Sequence, residues 1–443
     1  MALTASVDVI DGTGAVPPPA PRTLEEAGLS RDLVTQIVLK TLHFSGELSG
    51  TELARRVGLP FFAIEPVVDT LKQHHHVAIS GGALGAPSYH YRITDHGRSR
   101  AMLFLEHSHY VGHAPVPLAQ YSTYMHAFKA SIPHTVNRAA VHGAFSHLVI
   151  GERVLDQLGP AINAGHSMFV YGPPGNGKTV ISQAIHKLLG GEIYIPHALE
   201  VEGSIIRFFD PVNHERIDAP PDRERLQYNA PADGRWVLCR RPVVTVGGEL
   251  TLEALELGYS SDTGFYRAPV QALANGGVLV IDDFGRQHAS PRDLLNRWIV
   301  PLESRIDFLT LQTGQKFDFP FMTMIVFATN IKPAELVDEA FLRRIHYKIF
   351  AESPSRQEFL QIFQNCCREF GLEYRAEVVE GLLASYFKPR QIQLRGCQPR
   401  DLILQITSLA EYLGRPPEIA TDLLEAACHA YFVDDREATP TYA

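Results

Sequence analysis

The feature that most constrains this chain is the segment GPPGNGKT, Gly172–Thr179. It follows an apolar stretch, SMFVY, and precedes VISQAIHKLL, whose apolar residues recur at helical spacing. Glycines let the backbone between a strand and a helix curl so that its N–H groups point at phosphate oxygens, and the positive end of the helix adds to that field. The segment therefore predicts a phosphate-binding loop. Around it, over about 145–350, strands alternate with helices, which is typical of a parallel sheet covered on both faces.

Two side chains of this segment carry the predicted chemistry. Lys178 is expected to bind the β- and γ-phosphates of a nucleotide, and Thr179 is expected to be a ligand of Mg²⁺. The other residues expected to contact the nucleotide belong to the loop and the first helical turn: Gly172, Pro173, Pro174, Gly175, Asn176, Gly177 and Val180. The predicted cofactors are ATP and Mg²⁺.

Two further apolar strands end in polar residues. Val278–Ile281 precedes Asp282 and Asp283, and Thr323–Asn330 is apolar until its end. Asp282 is expected to hold Mg²⁺ through water, and Asp283 to orient or deprotonate the attacking water. Asn330 is expected to emerge beside the γ-phosphate, where an amide can bridge the water and the phosphate without adding charge.

Three arginines complete the candidate catalytic set. Arg343 and Arg344 lie just before a final strand, HYKIF. They could pair with acids of their own chain, or they could reach the γ-phosphate of a neighbouring subunit. Arg400 lies in the first turn of a helix, where a cation opposes the helix dipole. A nearby phosphate would explain it, and an ion pair with Asp401 is the alternative.

The region 30–112 shows a different pattern, of short helices followed by strands around a glycine-rich wing. Helices are expected after Ser30, over Gly50–Val57 and from Ala63, strands at His76–Ser80 and Tyr89–Ile93, and a closing helix after Thr94 or Asp95. This order resembles the winged-helix fold.

The third helix of that region is unusual for a DNA-reading helix, whose first residues contact base edges. It begins with Phe61, Phe62, Ala63 and Ile64, and Glu65 and Asp69 would face phosphates with the wrong sign. The region 31–112 holds eight Lys and Arg against seven Asp and Glu, whereas strong DNA binding needs several phosphate-neutralising cations. Phe61 and Phe62 are adjacent and cannot both point inward, so one is expected to be exposed. Protein docking is favoured, and DNA reading is the alternative.

Composition bounds the remaining possibilities. The chain has 443 residues, a net charge of −9 and a pI of about 6.1, so no global basic field draws it to nucleic acid. Five cysteines without a CxxC pair predict reduced thiols rather than a disulfide framework. The N-terminus lacks the pattern of a secretory signal, and no apolar stretch approaches the ~18 residues of a membrane helix. We expect a soluble, cytoplasmic protein without membrane insertion.

Taken together and in this order, the phosphate loop, the two polar strand ends and the arginines resemble the AAA+ ATPases over roughly 145–435. The resemblance implies Walker A at Gly172–Thr179, Walker B at Asp282 and Asp283, sensor 1 at Asn330 and sensor 2 at Arg400. It also implies an arginine finger at Arg343 or Arg344, with Arg344 preferred. The implied fold is α/β, a three-layer core with a parallel sheet and a C-terminal helical lid, here preceded by a winged-helix domain.

The implied domains are a disordered proline-rich tail at 1–22, a winged-helix-like domain at 23–112, a connector at 113–144, the ATPase core at 145–350, a helical lid at 351–435 and a tail at 436–443. Two departures from the family pattern stand out. The second Walker B acid is Asp283 instead of the usual Glu, and Lys178 lies 104 positions before Asp282 (282 − 178). The extra length accommodates predicted hairpins at 200–211 and 306–319, which resemble inserts of the MoxR-like and helix-2-insert branches.

The resemblance therefore implies an ATP hydrolase that forms a homo-oligomeric, usually hexameric, ring and remodels a protein partner. A DNA-linked AAA+ regulator or replication-type factor is the alternative. Candidate pore-facing aromatics are Phe208, Phe209, Phe265 and Tyr266, which could equally pack the inserts.

Overall fold

The structure is a computed structural model that describes residues 15–82, 85–131, 136–218, 232–336 and 339–432. Its α-helices are α1 Leu24–Ala27, α2 Arg31–Ser45, α3 Gly50–Val57, α4 Phe61–Gln73, α5 Asp95–His107, α6 Leu118–Ser131, α7 Arg138–Phe145, α8 Glu152–Ala164, α9 Lys178–Leu189, α10 Val270–Leu273, α11 Pro291–Ser304, α12 Pro333–Leu336, α13 Glu339–Leu342, α14 Arg356–Glu369, α15 Ala376–Leu382, α16 Gln398–Tyr412 and α17 Thr421–Tyr431.

The strands are β1 Glu47–Ser49, β2 Val77–Gly81, β3 His90–Ile93, β4 Val116–Pro117, β5 Met168–Tyr171, β6 Glu192–Pro196, β7 Ala198–Val201, β8 Ser204–Arg207, β9 Trp236–Arg240, β10 Val243–Val246, β11 Gly258–Ser260, β12 Phe265–Arg267, β13 Val278–Ile281, β14 Ile306–Thr310, β15 Lys316–Pro320, β16 Met324–Thr329 and β17 Tyr347–Phe350. No helix in the described ranges is long and apolar enough to cross a membrane.

The central element is a five-stranded parallel sheet in the order β10-β13-β16-β5-β17. Strands β5, β13 and β16 are almost wholly buried, as their continuous apolar sequences predict. The protein thus has the predicted α/β fold. Along the chain, the sheet strand that follows β5 is β10, which lies at the edge of the sheet. Strands β6 to β9 are inserted between α9 and β10 and belong to other sheets.

The N-terminal region packs α2, α3 and α4 on a three-stranded antiparallel sheet in the order β1-β3-β2. The Ser49 hydroxyl and the Glu52 carboxylate form a capping box at α3, and the Thr94 hydroxyl caps α5. The prediction that α4 begins near Ala63 is wrong: it begins at Phe61 and contains Pro66. A proline at this position removes only the bond to the carbonyl of Phe62, a residue on the solvent side, so the helix tolerates it.

A buried ion pair connects this region to the inserted strands. Arg235 and Asp233 are each 2% exposed, and the Arg235 Nη2 atom donates to the Asp233 Oδ2 atom at 2.7 Å. The same guanidinium donates to the carbonyls of Ala27 and Pro115 and to the Gln120 Oε1 atom, at 3.0, 3.3 and 3.2 Å. We call this cluster the Arg235 clasp. It satisfies a buried charge with acceptors far apart in sequence.

The prediction of a disordered tail at 1–22 extends partly outside the described residues. Within 15–22, Pro19 forms an isolated β-bridge with Ala232, and the Asp233 N–H donates to the Pro18 carbonyl at 2.9 Å. The described part of the tail is therefore ordered against the segment 232–235, which precedes β9 and carries the Arg235 clasp.

The inserts form the predicted hairpins. β7 and β8 pair antiparallel around Glu202 and Gly203, both at positive φ, and β14 pairs with β15. Strands β11, β12, β8, β7 and β4 form one sheet in that order. Of the predicted pore aromatics, Phe208 and Tyr266 are buried and Phe209 and Phe265 are half-buried, so these side chains pack the inserts.

The C-terminal helices α14 to α17 enclose a core of their own. Phe359, Phe363, Leu402, Ile406 and Leu424 are among its fully buried members. A turn of π-helix, Leu383–Phe387, follows α15. This packing yields a compact helical subdomain after β17.

Candidate nucleotide site

The phosphate loop follows β5 and ends at Lys178, the first residue of α9. Gly172 has φ 151° and its backbone lies so close to the Ala351 carbonyl that a Cβ would overlap it. Gly175 has φ 80°, and a Cβ there would lie 2.5 Å from the Cys397 Sγ atom. Both positions therefore require glycine, which leaves the loop free to curl as the sequence predicts.

Lys178 lies inside this curl. Only 7% of the residue is exposed, and its Nζ atom donates to the carbonyls of Gly172 and Pro173 at 3.1 and 2.8 Å. Burial lowers the pKa of the ammonium, while Asp283 and Asp282 act in the opposite direction. The ammonium thus already lies among oxygen atoms in the loop, where a phosphate oxygen would be a stronger acceptor.

The predicted metal ligands lie together. The Thr179 hydroxyl donates to Asp282 Oδ2 at 2.9 Å and to Oδ1 at 3.1 Å. Thr179 follows the loop after β5, and Asp282 follows β13, so both stand at the carboxyl ends of strands in the parallel sheet, where ligands of such sheets bind. Val180, next on α9, is partly exposed.

Asn330 and Asp283, for which the sequence predicts separate roles at the attacking water and the γ-phosphate, contact each other. The Asn330 Nδ2 atom donates to Asp283 Oδ1 at 3.1 Å, which joins the ends of β16 and β13. Asp283 has φ 48°, a left-handed conformation that is uncommon outside glycine, and its N–H donates to Asp282 Oδ1 at 3.0 Å. This conformation turns the two acids in different directions: Asp282 towards Thr179, and Asp283 towards Asn330.

A segment of the helical subdomain contacts the loop directly. The Cys397 N–H donates to the Gly175 carbonyl at 2.8 Å, the Gly396 N–H to Asn176 Oδ1 at 3.4 Å, and Arg395 Nη1 to the Pro174 carbonyl at 3.4 Å. Arg395 also bears electrostatically on Lys178. Sequence reasoning missed Arg395, because it lies in an irregular stretch before α16 and no motif identifies it.

The three arginines that the sequence singles out, Arg343, Arg344 and Arg400, differ from Arg395 in their exposure and ion pairs. Arg400 lies in the first turn of α16, but its side chain is 60% exposed and its Nη2 atom pairs with Glu369 Oε1 at 3.5 Å. Arg400 therefore forms its ion pair with Glu369 and not with Asp401, the partner that the sequence offered as the alternative to a phosphate. The Asp401 carboxylate instead accepts a hydrogen bond from the Tyr431 hydroxyl. Arg343 pairs with Glu339 at 3.1 Å and is mostly exposed, whereas Arg344 is half-buried.

The chemistry of this donor set fits a nucleotide and a divalent cation. A hydroxyl and carboxylate oxygens are the ligands that Mg²⁺ prefers. The N-terminal end of α9, the glycine-rich curl and the Lys178 ammonium all favour phosphate anions. Bound Mg²⁺ would neutralise charge on the phosphates, with Thr179 and Asp282 holding it.

Comparison with known sequences identifies one family. Residues 355–430 match a domain of unknown function, DUF8689, which corresponds to the helical subdomain. Among curated proteins, no match to the chain was found.

Solved structures similar to this chain include two bacterial proteins. The Thermotoga maritima RuvB Holliday junction branch migration motor is 15% identical with a TM-score of 0.38, over 65% of this chain and 71% of that one. NtrX from Brucella abortus is 17% identical with a TM-score of 0.39, over 67% of this chain and 60% of that one. NtrX in complex with ADP is 14% identical with a TM-score of 0.39, over 79% and 68% of the two chains.

Proposed function

We propose that this protein is an AAA+ ATPase that hydrolyses Mg-ATP. The observation that carries the proposal is the Thr179 hydroxyl bonded to both oxygens of Asp282, beside the buried Lys178, at the carboxyl edge of the parallel sheet. In this assignment Asp283, oriented by Asn330, accepts a proton from or orients the attacking water.

Nucleotide binding and turnover in single-site variants test this proposal. Lys178→Ala should lose ATP binding, because it removes the only ammonium inside the described part of the loop. Asp283→Asn should bind ATP and turn over slowly, because an amide cannot take a proton. Lys187→Ala, on the exposed side of the same helix α9, is the matched control and should behave as wild type. Full hydrolysis by Lys178→Ala would refute the assignment.

We propose Arg395 rather than Arg400 as the cation of the helical subdomain that senses the nucleotide. Arg395 already donates to the Pro174 carbonyl of the loop, whereas Arg400 pairs with Glu369. The short link through Cys397 and Gly175 supports a subdomain that responds to the state of the loop.

We propose that the active form is a homo-oligomeric ring. In this ring, one of the two arginines before β17 reaches the γ-phosphate bound by the neighbouring subunit. Arg343 is the more exposed of the two, and Arg344 is held half-buried, so Arg343 has the greater reach. This exposure favours Arg343 as the arginine finger, whereas the position of the arginine in the family favours Arg344.

We propose that the region 23–112 is a winged-helix domain that docks a protein partner for ATP-driven remodelling. Phe61 is buried and stacks on Tyr91, whereas Phe62 is 55% exposed at the start of α4. Lys72, a cation of α4, pairs with Asp69 at 2.7 Å and is not left for a phosphate. The helix therefore offers an aromatic ring, and little positive charge, to a partner.

Partner capture by the whole chain tests docking. Phe62→Ser should lose partner binding and keep ATPase activity, because burial of one such ring is worth about 1.5–3 kcal/mol. Phe44→Ser is the matched control, an exposed phenylalanine on α2. Salt-dependent, sequence-selective DNA binding that survives near physiological salt would instead support the DNA-linked alternative.

A further inference from the structure

A cavity of about 350 Å³ lies between the segment that follows α5 and the inserted strands, and none of the candidate nucleotide-site residues lines it. The residues around it include Tyr110, His113, His197, Arg207, Phe209 and Phe265. A backbone bond joins its two walls, since the His109 N–H donates to the Thr263 carbonyl at 2.8 Å, and the Ala114 N–H donates to the Val57 carbonyl of α3 at 2.6 Å, which anchors the segment after α5. The cavity is therefore a built feature of this part of the chain.

One arginine, Arg207, lines this cavity, and a second, Arg267, is its neighbour on the adjacent strand. Arg207 on β8 and Arg267 on β12 are partners in register on adjacent parallel strands, so their side chains emerge on the same face. Both are exposed, and within the described ranges neither guanidinium forms an ion pair with a carboxylate. Like charges placed side by side on neighbouring strands destabilise a sheet. An anion bound to Arg207 in the cavity would reduce that repulsion.

Two histidines, one from each wall, provide neutral donors. The rings of His113 and His197 stack in parallel, with centroids 3.7 Å apart and 5° between their planes. Burial lowers the pKa of His197 to about 3 and also lowers that of His113, and each effect is strengthened by Arg216. At neutral pH each ring is therefore uncharged and carries one N–H donor. Phe209 packs edge-on against His197 at 5.5 Å and extends the aromatic surface.

No carboxylate side chain lines the cavity among the described residues, so the charge that it offers is that of Arg207. We propose that this cavity binds a small anion with a planar body, a carboxylate or a phosphate monoester, with Arg207 at the anionic group and the stacked imidazoles of His113 and His197 beside the planar part. Such a ligand would bind where the N-terminal region meets the inserts. It would bind independently of the nucleotide loop.

Isothermal titration of the full chain with phenyl phosphate and, separately, with benzoate tests the proposal. The titrations use the Lys178→Ala background, so that phosphate binding at the nucleotide loop does not contribute and the result is independent of the ATPase assignment. At least one probe should bind, and the preferred probe identifies the anionic group. Arg207→Ala should weaken that binding at least tenfold, and Arg207→Lys should weaken it less, because it keeps the charge but loses the planar fork.

A second variant, His197→Phe, retains an aromatic ring and removes the N–H donor, and it should also weaken binding. The control is Arg55→Ala, which removes an exposed arginine of α3 and should leave binding unchanged. Thermal melting of each variant checks that the fold persists, and Arg207 is exposed enough for its loss to leave the fold intact. The proposal is overturned if neither probe binds at millimolar concentration, or if binding is the same in Arg207→Ala as in Arg55→Ala.

Discussion

Replacement of Phe61 and of Phe62 by alanine should have opposite consequences for the N-terminal region. Phe61 is 7% exposed, its ring stacks on Tyr91 with centroids 5.7 Å apart, and the Gly50 backbone lies against it. Truncation of a buried phenylalanine to alanine costs about 3–5 kcal/mol through lost burial and the cavity that remains. Phe62 is 55% exposed, and surface substitutions of this kind change stability by less than about 0.5 kcal/mol.

Amide hydrogen exchange of the whole chain measures this difference where it arises. Each 1.4 kcal/mol is a factor of ten in an equilibrium constant, so a loss of about 3 kcal/mol should accelerate exchange through opening of α4 by roughly two orders of magnitude in Phe61→Ala. Phe62→Ala should leave the exchange of the same peptide within about threefold of wild type. Equal protection in the two variants would refute the assignment of Phe61 to the core and of Phe62 to the surface.

Three further perturbations follow from the side chains around the site and the core. Arg395→Ala should raise the ATP concentration needed for half-maximal hydrolysis more than Arg400→Ala does, as steady-state kinetics would show; a larger effect of Arg400→Ala would restore the role that the sequence predicts. Arg343→Ala should bind ATP and hydrolyse little, and nucleotide-binding and turnover assays of Arg343→Ala and Arg344→Ala side by side decide between them; unchanged turnover in both would exclude a shared site. Burial lowers the pKa of Lys40 to about 8 from 10.5, so the unfolded chain binds more protons between these values and stability should rise with pH across this window. Lys40→Met should abolish that rise in urea melts at successive pH values, and its persistence would exclude Lys40 as the cause.

The side chains that meet in the candidate nucleotide site could be predicted because most of them belong to motifs that are local in sequence. Lys178 and Thr179 belong to one motif, and Asp282 and Asn330 each follow a continuous apolar strand of the kind that is buried in a parallel sheet. The bond between Asn330 and Asp283 follows from the meeting of strand ends. Arg395 was not predictable, because its approach to Pro174 spans 221 residues and depends on the packing of the helical subdomain.

The start of α4 and the burial of aromatic residues in the inserts also could not be predicted from local sequence rules. Pro66 indicates a helix boundary by local rules, yet the helix extends back to Phe61, because the missing bond falls on the solvent side. The aromatic pair Phe208 and Tyr266 could face a pore or a core with equal local propensity. Only the packing of the inserted strands into a common core decides that both are buried.

The Arg235 clasp has a consequence for how this protein can vary. N-terminal domains are often exchanged between proteins by recombination at the linker, because a covalent bond is all that joins them to the rest. Here the acceptors of one buried guanidinium are divided among Ala27, Pro115, Gln120 and Asp233. An exchange at residue 112 would remove the Ala27 carbonyl and leave one buried N–H of Arg235 without that acceptor, at a cost of about 1–3 kcal/mol. A replacement domain would therefore have to place a backbone carbonyl where that of Ala27 now lies, so the exchange depends on a contact in space as well as on a position along the chain.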